Sequence, residues 1–235
     1  KYDGNQYHQY YCVDDSLGLP DNNITYIYRD SHNRLWVATV NGVCLYQANG
    51  NFKRVSISSA NKNIEKILED KEGRIFFFTM TDLYQYDEKN NRAITRLSKM
   101  VEKNCYNYSC HIDRKDVMWI VTSYSVKGYR TQDLKLIAQS PVQSYPIASF
   151  LLDGHQLYIS GYNGMQLFDT DTRKWQHLPA ALQGLQIPND MVSGIHPYGE
   201  KGNLLLSTTK HGLLYFNAQE GTILPQSDKN FPFEV

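Results

Sequence analysis

The sequence has no excess of charge of either sign and no long apolar run. Its 24 Lys and Arg residues balance 24 Asp and Glu residues, so the formal net charge is zero. A nucleic-acid-binding domain normally carries a basic excess, and a membrane-surface domain carries a polybasic segment. The longest apolar runs, such as 75–78 and 204–206, are far shorter than the ~20 residues that a membrane span needs. We therefore expect this segment to bind no nucleic acid and to meet a membrane only through sequence outside it.

Cysteine is scarce and lacks a diagnostic spacing. The four cysteines stand at positions 12, 44, 105 and 110, and no C-x-x-C pair occurs, which argues against a zinc ribbon or a thioredoxin-like site. Cys44 lies inside an apolar run, where we expect a small buried hydrophobic residue. Cys105 and Cys110 are close enough in sequence to be bridged in an oxidising compartment, and the sequence leaves both states open.

Sequence motifs of catalysis and metal binding are also missing. No G-x-S-x-G, H-E-x-x-H, P-loop, G-x-G-x-x-G or EF-hand pattern occurs, and the seven His residues are scattered without ligand spacing. In the variable loops, only Glu102 and Asp190 offer carboxylates that could act as a pair. We therefore predict no catalytic residue, no metal site and no cofactor in this segment.

Aromatic residues, in contrast, are abundant. They make up 13% of the chain, with 18 Tyr among them, and they favour pleated, half-buried surfaces. Short apolar runs bounded by Gly, Asn, Asp and Pro recur, and no long window keeps apolar residues at helical spacing. This pattern predicts an all-β fold.

A sequence unit of about 40 residues recurs five times. Its equivalent positions 42, 82, 125, 164 and 212 are separated by 40, 43, 39 and 48 residues. A period of this length with strand-type sequence is typical of the four-stranded blade of a β-propeller. We expect a single propeller segment over 1–235, with units at 18–60, 61–104, 105–144, 145–185 and 186–227. In the first unit the predicted strands are 24–30, 35–40, 42–47 and 52–57.

The N-terminal stretch suggests that the chain is part of a larger ring. Residues 1–17 resemble an outer strand, either of a preceding blade or of a clasp that closes on the last blade. Because an open stack of blades would leave unpaired edges and bare apolar faces, we favour a propeller of six to eight blades. The remainder of that propeller is then a partner of this segment.

Two residue types recur at fixed positions of the unit. An aromatic slot holds Trp36, Phe76, Trp119 and Tyr158. An acidic slot holds Asp30, Asp70, Asp113 and Asp153. Repetition across four of the five units indicates architecture, so we predict that the aromatic residues pack between blades. We expect the carboxylates to serve a turn rather than paired-carboxylate catalysis.

The first unit resembles the two-component regulator propeller repeat. The resemblance lies in Gly18-Leu19-Pro20, in the acidic turn at Asp30 and in the Leu-Trp-Val-Ala-Thr strand followed by Asn41-Gly42. It is close over about twenty-five positions of the first unit and partial in the others. It implies a periplasmic sensor region of a hybrid two-component system in bacteria that degrade polysaccharides. Such a region recognises oligosaccharide breakdown products and is joined through a membrane helix to a histidine kinase, which lies outside these residues.

The loops between the second and third strands vary between units and are expected at one rim of the propeller, where function concentrates. A sugar needs an aromatic face for stacking and amide or charged groups for its hydroxyls. These loops supply the candidate ligand-binding residues Tyr124, Tyr162, Asn163, Lys210, His211 and Asn41. The Asn-Gly pair at Asn41 is also what a tight turn requires. Two alternatives remain open: a protein-interaction scaffold without a small ligand, and a propeller glycan lyase or hydrolase. A homodimer partner is a further candidate.

Overall fold

The computed structural model describes residues 4–12, 17–98, 107–143, 145–161, 164–183, 192–200, 202–228 and 232. Within these residues the secondary structure consists of twenty-one strands and one short helix, α1 (Ala180–Gln183). No helix of this part has the length and apolar character that crossing a membrane requires. The chain divides into two compact units, Lys1–Glu102 and Lys103–Val235, each of which contains more than one sequence repeat. Below, the first unit and the second unit are these two parts of the chain.

The first unit contains two sheets, which we call blades one and two. Blade one is an antiparallel meander of β1 (Ile24–Arg29), β2 (Leu35–Thr39), β3 (Gly42–Tyr46) and β4 (Phe52–Arg54). Blade two has a fifth, parallel strand on its outer edge and consists of β5 (Ser56–Ile57), β6 (Lys66–Glu69), β7 (Ile75–Phe78), β8 (Leu83–Asp87) and β9 (Arg92–Leu97). In both blades the antiparallel strands follow one another in chain order.

The second unit contains blades three, four and five. Blade three is formed by β10 (Asn107–Ile112), β11 (Val117–Thr122), β12 (Ser125–Arg130) and β13 (Leu136–Pro141). Blade four is formed by β14 (Pro146–Leu152), β15 (Gln156–Gly161), β16 (Gly164–Asp169) and β17 (Lys174–Gln176). Blade five is formed by β18 (Val192–Pro197), β19 (Leu204–Thr208), β20 (Leu213–Asn217) and β21 (Thr222–Pro225). The prediction of an all-β chain with five propeller-type blades is confirmed.

The outer strand of blade one differs from the predicted strand 52–57. It divides after Arg54, and Ser56–Ile57 becomes β5, which runs parallel to β9 in blade two. The cause is Asn91, whose side-chain amide donates a hydrogen bond to the Arg54 carbonyl at 2.8 Å, while its own carbonyl accepts from the Ser56 amide at 3.1 Å. The prediction of one continuous strand was therefore wrong, because the neighbouring blade captures the end of this segment.

The repeated aromatic slot packs one blade against the next. The Trp36 ring is fully buried and lies 4.9 Å from Tyr86 and 5.5 Å from Phe77, both in blade two, between ring centroids. The fully buried Trp119 ring lies 5.3 Å from Phe168 of blade four. Phe76 and Tyr158, in the same slot, are also buried. The predicted packing between blades is confirmed for Trp36, for Trp119 and for Tyr158, which shares a core cluster with residues of blade five, and it stays a prediction for Phe76.

A buried carboxylate closes the turn between the first two strands in three blades. One oxygen of Asp30 accepts hydrogen bonds from the main-chain amides of His32 and Arg34. The other accepts from Arg34 Nε at 2.6 Å and from the indole Nε1 of Trp36 at 2.8 Å. Burial alone would raise the pKa of Asp30, but the bonds from Trp36 and Arg34 outweigh it, so this pKa lies below its usual value. The carboxylate therefore ties the turn to the buried tryptophan.

Blades two and three repeat this turn, whereas blade four does not. Asp70 accepts from the amide and Nε of Arg74, and Asp113 accepts from Trp119 Nε1 at 2.7 Å. Asp153 is exposed and has a φ of 49°, and Gly154 after it has a φ of 67°. The loop between the paired residues Leu152 and Gln156 has three residues, two fewer than the loop between Arg29 and Leu35 in blade one. Asp153 thus lies at a turn, as predicted, but its turn has a different geometry from the turns at Asp30, Asp70 and Asp113.

An ion pair between neighbouring blades recurs in both units. In the first unit, Arg34 Nη1 in the first turn of blade one lies 2.9 Å from Glu88 Oε1 in the last turn of blade two. In the second unit, Arg114 and Lys115 of blade three both pair with Asp171 of blade four. The hydrogen bond from Arg114, aided by Lys115, lowers the pKa of Asp171 to about 2 although partial burial opposes it.

Two of the cysteine expectations lie within the described residues. Cys44 is fully buried in β3, which confirms its predicted role, and burial raises the pKa of its thiol to about 12. Cys110 is buried in β10. Cys105 lies outside the described residues, so both alternatives for this pair, thiols or a disulfide, stay open.

Residues 4–12 contact blade one. They contain isolated β-bridges rather than a strand, one of them between Cys12 and Leu19. The Tyr10 ring lies 5.3 Å from Phe52 and 5.8 Å from Tyr46, both edge-on, and the Tyr10 and Tyr46 hydroxyls are 3.0 Å apart. That residues 1–17 serve as the outer strand of another blade, or as a clasp, stays a prediction.

The Trp36→Ala variant tests the aromatic slot. Loss of a buried ring leaves a cavity and removes one of the two hydrogen bonds to Asp30 Oδ2, so we expect the free energy of unfolding to fall by about 3–5 kcal/mol. Urea denaturation measures this change. The control is Ile94→Ala, because Ile94 is 41% exposed and its loss should cost about 0.5 kcal/mol or less. A Trp36→Ala variant as stable as the parent would contradict the packing role.

The Asp171→Asn variant tests the ion pair between blades. The pKa of about 2 in the folded protein lies below the ~3.9 of an unfolded Asp. The charged carboxylate therefore stabilises the fold above about pH 4, and this stabilisation is lost as the pH falls from about 4 to about 2. We expect the difference in unfolding free energy between parent and variant to shrink over that interval in urea titrations. Asp133→Asn, at a half-exposed position, is the control and should show a smaller pH-dependent difference. A difference that stays constant with pH contradicts the assignment.

Candidate ligand-binding site

A threonine hydroxyl closes the loop between the second and third strands in four blades. These residues end β2, β11 and β19, or directly follow β7: Thr39, Thr79, Thr122 and Thr208. Each hydroxyl donates to a main-chain carbonyl at the start of the next strand, over 3.0 to 3.1 Å. Each also accepts from amides of the loop itself, as a hydroxyl with two lone pairs can. The loops expected to bind a ligand are thus held in shape by one repeated cap.

The cap fixes the main chain of three candidate residues. The amide of Asn41 lies 3.2 Å from Thr39 Oγ1, that of Tyr124 3.3 Å from Thr122 Oγ1, and that of His211 3.0 Å from Thr208 Oγ1. With the backbone held in this way, their side chains extend from ordered loops.

The structure exposes the described candidates on equivalent loops. The Tyr124 ring is 55% exposed, and Asn41, Lys210 and His211 are exposed as well. Lys210 and His211 share one loop of blade five, whereas Tyr124 stands on blade three and Asn41 on blade one. Tyr162 and Asn163 lie outside the described residues, as do Glu102 and Asp190. The chemistry at hand is an aromatic face, an amide and two basic groups, all accessible to solvent.

A small pocket beside Asn41 contains groups that the sequence did not single out. It has a volume of about 250 Å³ and is lined on its polar side by Asn41, Arg54, Ser56 and Lys62. Arg54 is the last residue of an outer strand and Lys62 lies in a connection without a motif, so no pattern pointed to either. The one sequence feature connected with this pocket is the Gly-Leu-Pro segment, because Arg54 is bound to it. Arg54 donates from Nε to the Gly18 carbonyl at 2.9 Å and from Nη2 to the Leu19 carbonyl at 2.7 Å.

A larger groove of about 1000 Å³ lies on blade one, on the face opposite blade two. Its lining is mainly apolar and includes Ile24 and Ile27, which are 45% and 58% exposed, and Leu35. Equivalent apolar faces inside each unit are covered by a neighbouring blade. The groove therefore has the character of a packing surface for β-structure rather than of a sugar site.

Among the described residues, no group of three or more His, Cys, Asp or Glu side chains could hold a metal ion.

The five successive four-stranded meanders define a β-propeller type of protein. Residues 18–41 match the sequence profile of a family described as Two component regulator propeller. The chain thus carries a repeat of this family in blade one, and the resemblance seen in the sequence is confirmed. No curated protein matches the chain.

Solved structures share the fold at low sequence identity. The extracellular domains of two proteins from B. thetaiotaomicron, both described as hybrid two-component systems, match with TM-scores of 0.70 and 0.63 at 17% identity. These matches cover 95% and 86% of this chain but 32% and 30% of those chains, so the chain spans about a third of their length. Virginiamycin B lyase from Staphylococcus aureus matches with a TM-score of 0.64 at 13% identity, over 92% of this chain and 72% of the lyase.

The Thr122→Val variant tests the loop cap. Thr122 is 1% exposed, and valine keeps its shape but leaves the Ser125 amide and carbonyl without this partner. We expect a loss of about 1–3 kcal/mol in the free energy of unfolding, measured by urea denaturation. Thr122→Ser retains the hydroxyl and is the matched control. If both variants lose equal stability, the effect comes from packing and the cap is not important.

Proposed function

We propose that this chain is part of the extracytoplasmic sensor region of a two-component signalling protein. It binds oligosaccharide breakdown products and signals to a histidine kinase outside these residues. The observation that carries the proposal is the regulator propeller repeat at residues 18–41. The fold shared with extracellular domains of proteins described as hybrid two-component systems supports it. A periplasmic location follows from the same role.

The ligand-binding groups in this proposal are side chains of the loops between the second and third strands of the blades. Tyr124 and Tyr162 supply faces on which a sugar ring stacks, and Asn163 and Asn41 supply amides that both donate to and accept from hydroxyls. Lys210 and His211 donate to ring or hydroxyl oxygens. Support comes from the exposure of the described members and from the cap, which orders their loops before a ligand arrives and so reduces the entropy lost on binding.

Further blades of the same propeller are the proposed partner of blade one. Ile24 and Ile27 are exposed on a face of blade one that the described residues of blade two do not cover, and an apolar face of this kind is stable only when it is covered. In the whole protein, we propose a ring of six to eight blades. A homodimer of such sensors would carry the signal as a change in the arrangement of its subunits.

Calorimetric titration with a panel of plant and host glycan fragments tests the binding role. We expect at least one oligosaccharide to bind, and we expect Lys210→Ala or Tyr162→Ala to weaken that binding about tenfold through the loss of one hydrogen-bonding or stacking group. The control is Lys89→Ala, an exposed lysine in the turn between β8 and β9, at the opposite end of its blade from the capped loops. It should leave the affinity unchanged.

Two outcomes would replace the proposal. Absence of heat with every sugar, together with capture of a protein partner, favours the interaction scaffold. Turnover of a glycan favours an enzyme, an alternative to which the fold shared with virginiamycin B lyase is relevant. Unchanged affinity in both the Lys210 and the Tyr162 variants would remove these two residues from the site.

A further inference from the structure

The small pocket on blade one has walls from three separate segments of the chain. Pro20 of the Gly-Leu-Pro segment forms one wall and the Asn41-Gly42 loop forms the second. Gly42 has a φ of 132°, and a Cβ placed on it would lie 3.5 Å from Pro20, so the loop approaches the proline closely. Arg54, Ser56 and Lys62, at and beyond the end of the outer strand, form the third wall. All of these residues belong to the first compact unit.

The electrostatic character of the pocket is positive. Arg54 and Lys62 both line it, and no described lining residue is acidic. Two donors of the Arg54 guanidinium are held by the carbonyls of Gly18 and Leu19, which are neutral groups. These carbonyls hold the guanidinium in a fixed orientation. The Arg54 main chain is fixed as well, because its carbonyl accepts from the Asn91 amide at 2.8 Å.

Hydrogen-bonding groups accompany the two charges. The Asn41 amide and the Ser56 hydroxyl line the same pocket and both can donate to an oxygen. Hydrogen bonds between a cationic donor and an ionised oxygen are shorter and stronger than neutral ones. The combination of two cations with two neutral donors is therefore complementary to an oxyanion.

The size of the pocket limits what can enter. Its volume of about 250 Å³ is below the ~300 Å³ at the lower end of typical ligand pockets. It can hold one oxyanion group together with either the single sugar ring that carries it or its bound waters, and it is too small for an oligosaccharide.

We infer that this pocket binds the carboxylate or sulfate group of a small anionic ligand. Lys62 and Arg54 supply the charge, and Asn41 and Ser56 complete the hydrogen bonds. The inference goes beyond the proposed sensing of oligosaccharides: it concerns blade one alone and requires no sugar at the capped loops of the second unit.

Isothermal titration with sodium sulfate and with sodium glucuronate, at constant ionic strength, tests the inference, with glucose as the neutral match for glucuronate. We expect the parent chain to bind at least one of the two anions and to bind glucose more weakly than glucuronate. The decisive variant is Lys62→Gln, which removes one exposed charge and should weaken anion binding about tenfold. Ser56→Ala is a second variant and should weaken it severalfold.

Two substitutions serve as controls for the position of the anion. Lys53→Gln removes an equal charge from β4, the strand that also carries Arg54, at a side chain that does not line the pocket, and should leave the affinity unchanged. Lys210→Ala removes a charge from the capped loop of blade five and reports whether the anion binds at that loop instead. Thermal unfolding of each variant checks that the fold is retained. Arg54 is left intact because it also orders the Gly-Leu-Pro segment.

Each result of the experiment is decisive. Weaker binding in Lys62→Gln, with Lys53→Gln unchanged, supports the pocket. Tighter binding of glucuronate than of sulfate then indicates a sugar acid, and the reverse indicates a sulfate. No binding of either anion, or an equal loss in Lys53→Gln and Lys62→Gln, overturns the inference. So does a loss seen only in Lys210→Ala, which would put the anion on the capped loop and leave the proposed sensor role standing.

Discussion

The hydrogen bond between a buried aspartate and a buried indole is the interaction on which the blades depend. A tryptophan can fill the space between two blades only if its N–H finds a partner, since an unpaired buried donor is costly. Asp30 supplies that partner to Trp36, and Asp113 supplies it to Trp119, over 2.7 to 2.8 Å. The same carboxylates collect the main-chain amides of their turns. One residue therefore sets both the shape of a turn and the packing of its blade on the next one.

In these blades, the two ends of the second strand therefore differ in what they contact. At its start, the aspartate turn is tied to the blade interface, so a change there reaches the core. At the end of the strand, the threonine hydroxyl holds the loop through hydrogen bonds with main-chain amides and carbonyls. The loop side chains, such as those of Tyr124 and His211, take no part in these bonds, so other residue types could replace them. A repeat built in this way can change the side chains of its loops from blade to blade without changing how its blades pack.

The sequence predicted those features that follow from periodicity and missed those that depend on contacts between distant segments. The 40-residue period predicted the five meanders, and recurrence at one slot predicted the packing of Trp36. The parallel strand β5 was missed because its cause, Asn91, is a turn residue of another blade. Asp153 occupies the same position of the repeat as the other aspartates and lies at a turn. This turn has two positive φ values and leaves the side chain exposed, which the repeat position alone did not indicate. The exposure of Asn41 and Tyr124 followed from their loop positions, whereas the pocket lined by Arg54 and Lys62 forms only after folding joins three segments.

The parallel strand β5 also affects how the first unit bears mechanical load. It is two residues long and lies directly between the outer strand of blade one and the chain that leads to blade two. Tension along the backbone at this junction pulls β5 parallel to its own axis, so its hydrogen bonds to β9 are sheared together rather than opened one after another. Main-chain hydrogen bonds therefore hold the chain to blade one at Val55 and to blade two at Ser56, so no free tether joins the two blades.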